Sequence, residues 1–95
     1  MNNEREKLEK ALTVRSEQGL HARVATLVVQ AMQKFSCDVT VVKDGVEVNA
    51  RSVLGLLLLA ATEGTKIVVR AQGPDSTKAI EEFSRLIEHE DNTQN

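Results

Sequence analysis

The sequence predicts a two-layer α+β fold, a four-stranded sheet with three helices on one face, and three observations carry that prediction. Apolar residues alternate in four short stretches and recur at helical spacing in three others, in the order β-α-β-β-α-β-α. The pair Asp44-Gly45 between the second and third alternating stretches is a tight-hairpin signal. Four strands with a hairpin in the middle are too few for a wound parallel sheet, so the helices are expected to gather on one side.

Each element has a local reason. Leu12 and Val14 alternate in a first strand, which Gln18-Gly19 interrupts ahead of a helix with apolar residues at Val24, Leu27, Val28, Ala31 and Phe35. Val39 and Val41 begin the hairpin, and Val46 and Val48 continue it on the far side. Asn49 to Ser52 break that strand before the run VLGLLLLAA, a short second helix in which Gly55 lowers helix propensity and the leucines restore it. Gly64 stops this helix, and Ile67, Val69 and Ala71 alternate with Val68 and Arg70 in a fourth strand. Gly73-Pro74-Asp75-Ser76 ends the strand and supplies cap residues for a last helix with the stripe Ala79, Ile80, Phe83, Leu86 and Ile87. Residues 1–7 and 91–95 are polar and without apolar periodicity, and are expected to be flexible ends around a domain over residues 8–90.

Composition narrows the function classes. A chain of 95 residues makes one small domain without room for a deep cavity, so chemistry is expected near the surface. Phe35 and Phe83 are the only aromatics and the formal charge is −2, so neither stacking platforms nor a broad basic face for nucleic acid is expected. Cys37 stands alone, which excludes an intramolecular disulfide and is read as a small, buried or half-buried apolar residue. The charged beginning MNNEREKLEK is unlike a secretory signal, and the run from Val53 to Ala61 is too short to span a bilayer, so a cytoplasmic location without membrane insertion is expected.

The segment Gly19-Leu20-His21-Ala22-Arg23 falls where the first strand gives way to the first helix. The first backbone N–H groups of a helix lack internal partners and carry partial positive charge, so a phosphoryl group is well accommodated there. That positive end, with Arg23 two residues on, disfavours an imidazolium and leaves His21 a neutral nucleophile. Once phosphorylated, its oxygens could be bound by helix N–H groups and by a planar guanidinium. The plainer alternative is that His21 merely begins a helix and Arg23 is a solvated charge. His89 lies in the acidic end of the last helix and is expected at the surface, too far along the chain to chelate with His21. No metal site is expected, and no nucleotide loop or serine-nucleophile motif implies a cofactor.

Asn49-Ala50-Arg51-Ser52 is the second informative place. Ser52 is placed to cap the short helix, although Gly55 stands where a Glu would complete a capping box. A serine at a helix start is also a site where added phosphate could act as a switch. Val53, Leu56 and Leu59 share one helical side and can face the sheet, which leaves Leu54, Leu57 and Leu58 either as a docking patch or as extra core.

GLHAR at 19–23 and NARSVLGLLLLAATEG at 49–64, at matched separation, resemble the active-site and regulatory-serine segments of HPr. HPr proteins are the histidine-containing phosphocarriers of the bacterial phosphoenolpyruvate-dependent phosphotransferase system, and the resemblance covers about residues 11–88. It implies the open-faced β-sandwich, with four antiparallel strands and three helices on one side. It implies that His21 accepts phosphate on Nδ1 from enzyme I and passes it to an enzyme IIA histidine, with Arg23 holding the phosphoryl group. Ser52 matches the serine that a dedicated kinase/phosphorylase modifies, and Leu20, Val53, Leu54 and Leu57 match the partner-docking face. The chain would then be a carrier rather than an independent enzyme, a monomer without cofactor.

Two departures stand out. Val24 replaces the proline usual after the arginine, which gives a less rigid first turn with one more donor and an expectation of slower or weaker transfer. Leu57 and Leu58 make the docking helix greasier than in many relatives. The alternative to sugar-uptake carriage is therefore a regulatory binding module of a nitrogen-related or carbon-control branch, switched at Ser52 and read by a transcriptional regulator.

Overall fold

The computed structural model describes residues 7–89. Seven elements follow one another: β1 (Lys7–Thr13), α1 (Ala22–Met32), β2 (Asp38–Lys43), β3 (Val46–Asn49), α2 (Val53–Leu58), β4 (Lys66–Gln72) and α3 (Ser76–His89). The order and types are those the periodicity predicts. Lys7, expected in a flexible end, already belongs to β1, while the expectations for residues 1–6 and 91–95 lie outside the described residues. So does the expectation for the His89 side chain.

The strands pair in the order β1-β4-β2-β3, all antiparallel. Alternation sends Leu12, Val39, Val41, Ile67, Val69 and Ala71 to the helix-covered face, where all six are buried. The other face is open and stitched by charge: Arg70, opposite Glu9 in the register, lies 2.6 Å from Glu9 and 3.7 Å from Glu47, linking β4 to both edge strands. At the hairpin tip Asp44 and Gly45 both have positive φ (51° and 82°), the backbone of a tight two-residue turn that Asp-Gly is suited to make.

The core is aliphatic apart from Phe83, which is fully buried on α3 beside Ala79, Ile80 and Ile87. On α1 the buried face is Val24, Ala25, Val28 and Met32, which keeps Val24 and Val28 of the expected stripe and leaves Ala31 half-buried. Leu27 is 39% exposed, and Phe35 lies in the connecting loop past the helix end, only partly buried. Arg23, Thr26 and Gln30 make a polar side of this helix, Leu27 lies within it between Arg23 and Gln30, and the buried residues lie on the side opposite, against α2 and α3.

The end of α1 is closed from far along the chain. Arg51 donates through Nη2 to the carbonyls of Met32 (2.7 Å) and Phe35 (2.8 Å) and through Nη1 to that of Cys37 (2.8 Å). Carbonyls at a helix C-terminus lack intrahelical donors and carry partial negative charge, so a half-buried guanidinium answers both needs. Because Arg51 immediately precedes Ser52, the same bonds anchor the entry to α2. A second special position follows α2, where Ala60 is left-handed (φ 53°), a conformation that favours glycine.

These two features give two expected outcomes. Arg51→Met should cost about 2 kcal/mol, the range for hydrogen bonds to a charged donor, seen as a lower urea midpoint at unchanged slope. Ala60→Gly should raise stability by up to about 1 kcal/mol in the same titration, since the left-handed penalty on a side-chain-bearing residue is removed.

Candidate functional site

His21 is the N-cap of α1. Its backbone is extended (φ −89°, ψ −179°), its carbonyl accepts from the Ala25 N–H at 2.9 Å, and its Nδ1 accepts from the Arg23 N–H at 3.3 Å. Histidine here takes the part usually played by Ser, Thr, Asp or Asn, a side-chain acceptor for a first-turn N–H that the helix cannot satisfy. Because Nδ1 accepts, the neutral ring in this arrangement carries its proton on Nε2. The Nδ1 lone pair therefore points toward the positive end of α1. The ring is half-buried, so one side is supported and one is open.

Its neighbours fall into two kinds. Arg23, at the second position of α1, is exposed, and Val24 at the third is buried in the core while keeping its backbone N–H. Leu20, expected on the docking face, is only 4% exposed and belongs to the core, so its side chain anchors the loop from within and presents little surface. Gly19 is left-handed (φ 74°), and its carbonyl accepts the His21 N–H at 2.9 Å.

Ser52 is the N-cap of α2, its Oγ accepting from the Gly55 N–H at 2.9 Å, and it is half-exposed. A Cβ at position 55 would lie 3.1 Å from Ser52 Oγ and 3.2 Å from the Val48 Cβ. The capping box that the sequence leaves unmade would thus crowd the hydroxyl and β3, and glycine lets the helix start close against both. On α2, Leu56 and Leu59 are buried and Val53 and Leu57 half-buried. Leu54 and Leu58 are 67% and 70% exposed, one turn apart on one outward face. The leucine run is thus divided between core and surface; Leu58, one of the three left by helical spacing but outside the set that the family resemblance implies, belongs to the exposed part.

His21 and Ser52 mark the starts of two helices that pack against each other, and the chain just past α2 returns to the His21 loop through Ala61, whose carbonyl accepts the Leu20 N–H at 2.8 Å. Sequence reasoning missed both this junction and Arg51, because neither contact is local enough to leave a spacing signal. Cys37 lies at the far end of α1, half-buried. Burial pushes its thiol above the ordinary range despite nearby Arg51, with Asp75 and Asp38 acting in the same direction as burial, so it is a poor nucleophile. Among the described residues no group of His, Cys, Asp and Glu side chains could hold a metal, and no helix is long and apolar enough to cross a membrane.

Comparison with known proteins places this geometry. Residues 8–89 match the family model described as the PTS HPr component phosphorylation site. The phosphocarrier protein HPr of Xylella fastidiosa (strain Temecula1) is 46% identical over 82 residues, which span 86% of this chain and 92% of that one. The HPr-like protein Crh of Bacillus subtilis is 40% identical, over 87% of this chain and 98% of its own. The crystal structure of HPr-C-His from Thermoanaerobacter tengcongensis superposes with a TM-score of 0.85 at 35% identity, covering 93% of this chain and 99% of that one. With its open antiparallel sheet, its three helices and a histidine at the start of the first, the chain belongs to the HPr family of phosphocarrier proteins of the phosphotransferase system.

Proposed function

We propose that this chain carries a phosphoryl group in the cytoplasm, taking it from enzyme I on His21 Nδ1 and giving it to a histidine of an enzyme IIA domain. The observation that carries this reading is the acceptor geometry of His21: an N-cap ring whose Nδ1 lone pair faces the start of α1 and whose surface is half open. In the forward step Nδ1 attacks phosphorus in line as the bond from phosphorus to the donor breaks and its electron pair leaves with the donor, and the proton on Nε2 stays where it is. The oxygens then take over the first-turn N–H that Nδ1 had used, and the Arg23 guanidinium supplies charge-assisted bonds. In the reverse sense the same contacts release the group, because they are made to the oxygens and not to the P–N bond. The chain positions a group in transit and is not an independent catalyst.

Docking would fall to the outward side of α2. Val53, Leu54 and Leu57 are the residues that the family pattern nominates, and the exposure of Leu54 and Leu58 favours extending that patch by one turn. Leu20 would act indirectly, by holding the loop. A patch this small suits a monomer that must release each partner.

A second reading has its own supporting observation. Ser52 is half-exposed beside the docking leucines, and its hydroxyl already faces a helix N–H, so a phosphate added there would bring negative charge to the same surface. A kinase/phosphorylase would then set whether the chain meets enzyme I or a transcriptional regulator. Both readings can hold in one molecule.

Incubation with enzyme I and phosphoenolpyruvate should give an acid-labile, base-stable adduct on the wild-type chain and none on His21→Ala; label retained by that variant would falsify the carrier reading. Arg23→Ala should slow the labelling by about tenfold or more, the cost of one charge-assisted donor. Ser52→Asp separates charge from folding, because Asp caps a helix about as well as Ser. It should keep the wild-type melting temperature while changing affinity for enzyme I or a regulator, and unchanged affinity for both would count against the switch.

A further inference from the structure

The loop that delivers His21 to its helix is clasped by the loop between α2 and β4. At its start the Val14 N–H donates to the Thr65 carbonyl at 2.9 Å and the Val14 carbonyl accepts from Gly64 at 2.8 Å; at its end the Leu20 N–H donates to Ala61 at 2.8 Å. Between these points the Gly19 N–H closes a turn on the Ser16 carbonyl at 2.9 Å. The Gly19 carbonyl then receives the His21 N–H, so Gly19 is the immediate support of the acceptor residue.

Gly19 has no room to give. A Cβ there would lie 2.4 Å from the Ala61 oxygen and 2.9 Å from the Thr62 Cα, both backbone atoms, whereas a Cβ on Gly45 or Gly64 would meet nothing within 4 Å. All three have positive φ, so conformation alone accounts for Gly45 and Gly64, while Gly19 is also pressed against a wall, more closely than Gly73, where a Cβ would lie 3.0 Å from the Cys37 Cα at the opposite end of α1. The wall itself is fixed: Ala61 is buried, and the left-handed turn at Ala60 precedes it.

We propose that the α2–β4 loop, through the Ala61 carbonyl on Leu20 and the close approach to Gly19, sets the position of His21, which makes Gly19 and Ala61 positioning residues for phosphoryl transfer. The inference rests on the carrier reading for its consequence and on backbone geometry for its substance. At 3.3 Å the bond from the Arg23 N–H to Nδ1 is already at the long end for a hydrogen bond, so a shift of about half an ångström at Gly19 breaks it. In-line transfer is sensitive to displacements of that size.

Gly19→Ala and Gly45→Ala make the comparison, since each puts alanine at a left-handed position and each should lower the melting temperature. At a temperature where both are folded, Gly19→Ala should displace the NMR signals of the Arg23 amide and of His21 Nδ1, and slow labelling by enzyme I and phosphoenolpyruvate by about tenfold or more. Gly45→Ala should leave signals and rate at wild-type values. Should Gly19→Ala not fold, an ester in place of the Gly19–Leu20 amide removes the Leu20 N–H and weakens the Gly19 carbonyl that receives the His21 N–H, so it loosens both links of the same support and should produce the same two changes. Such a chain can be made by ligating a synthetic segment 1–36 at Cys37. Wild-type signals in the variant, or equal losses of rate in the two alanine variants, would overturn the proposal. Displaced signals in a protein whose wild type takes no label would leave the positioning intact and refute the carrier reading instead.

Discussion

The functional region depends on the unsatisfied backbone at the start of α1. A helix leaves its first N–H groups without partners, and here the side chain that answers one of them is an imidazole and not a hydroxyl or carboxylate. That substitution turns a cap into an acceptor. The lone pair that stabilises the helix is the one that would attack phosphorus, and the donor it satisfies is available to the phosphoryl oxygens afterwards. Burial of Val24, Ala25 and Val28 holds the helix end in place, and the backbone bonds of the preceding loop hold the residue that caps it, so the site is preorganised from both sides.

The same economy appears on α2. Six residues are too few for an independently stable helix, and its ends are held by contacts made elsewhere. Arg51 ties its entry to the end of α1, Ser52 caps it, Gly55 lets it close against β3, and the turn through Ala60 carries the chain to the His21 loop. The leucines proposed for docking and the serine proposed for modification are thus presented on an element that is connected at its far end to the His21 loop.

Much of this was legible in the residues. The alternation in Val39, Val41, Ile67 and Val69 reports burial on one sheet face directly, because the strand period is two and these strands have one wet side. The tight hairpin at Asp44-Gly45 and the cap at Ser52 are local chemistry and came out as expected. The α1 stripe came out in part: Val24 and Val28 are buried as expected, but Leu27 lies on the polar side with Arg23, Thr26 and Gln30 and is exposed, and the helix ends at Met32, before Phe35. Leu20 was assigned to the docking face by resemblance to the family's pattern, yet its side chain is buried in the core after the turn at Gly19.

By itself the sequence determined the element types and order, the sheet's buried face, and the placing of a histidine and a serine at two helix starts, since periodicity, turn chemistry and capping act over a few residues. Only the tertiary structure decided the strand order β1-β4-β2-β3, the three carbonyls taken by Arg51 and the contact of Gly19 with Ala61. Those joins link residues far apart in the chain. They are selected by how two layers bury apolar area together and by which backbone groups are then left needing partners, and neither quantity exists until the chain is folded.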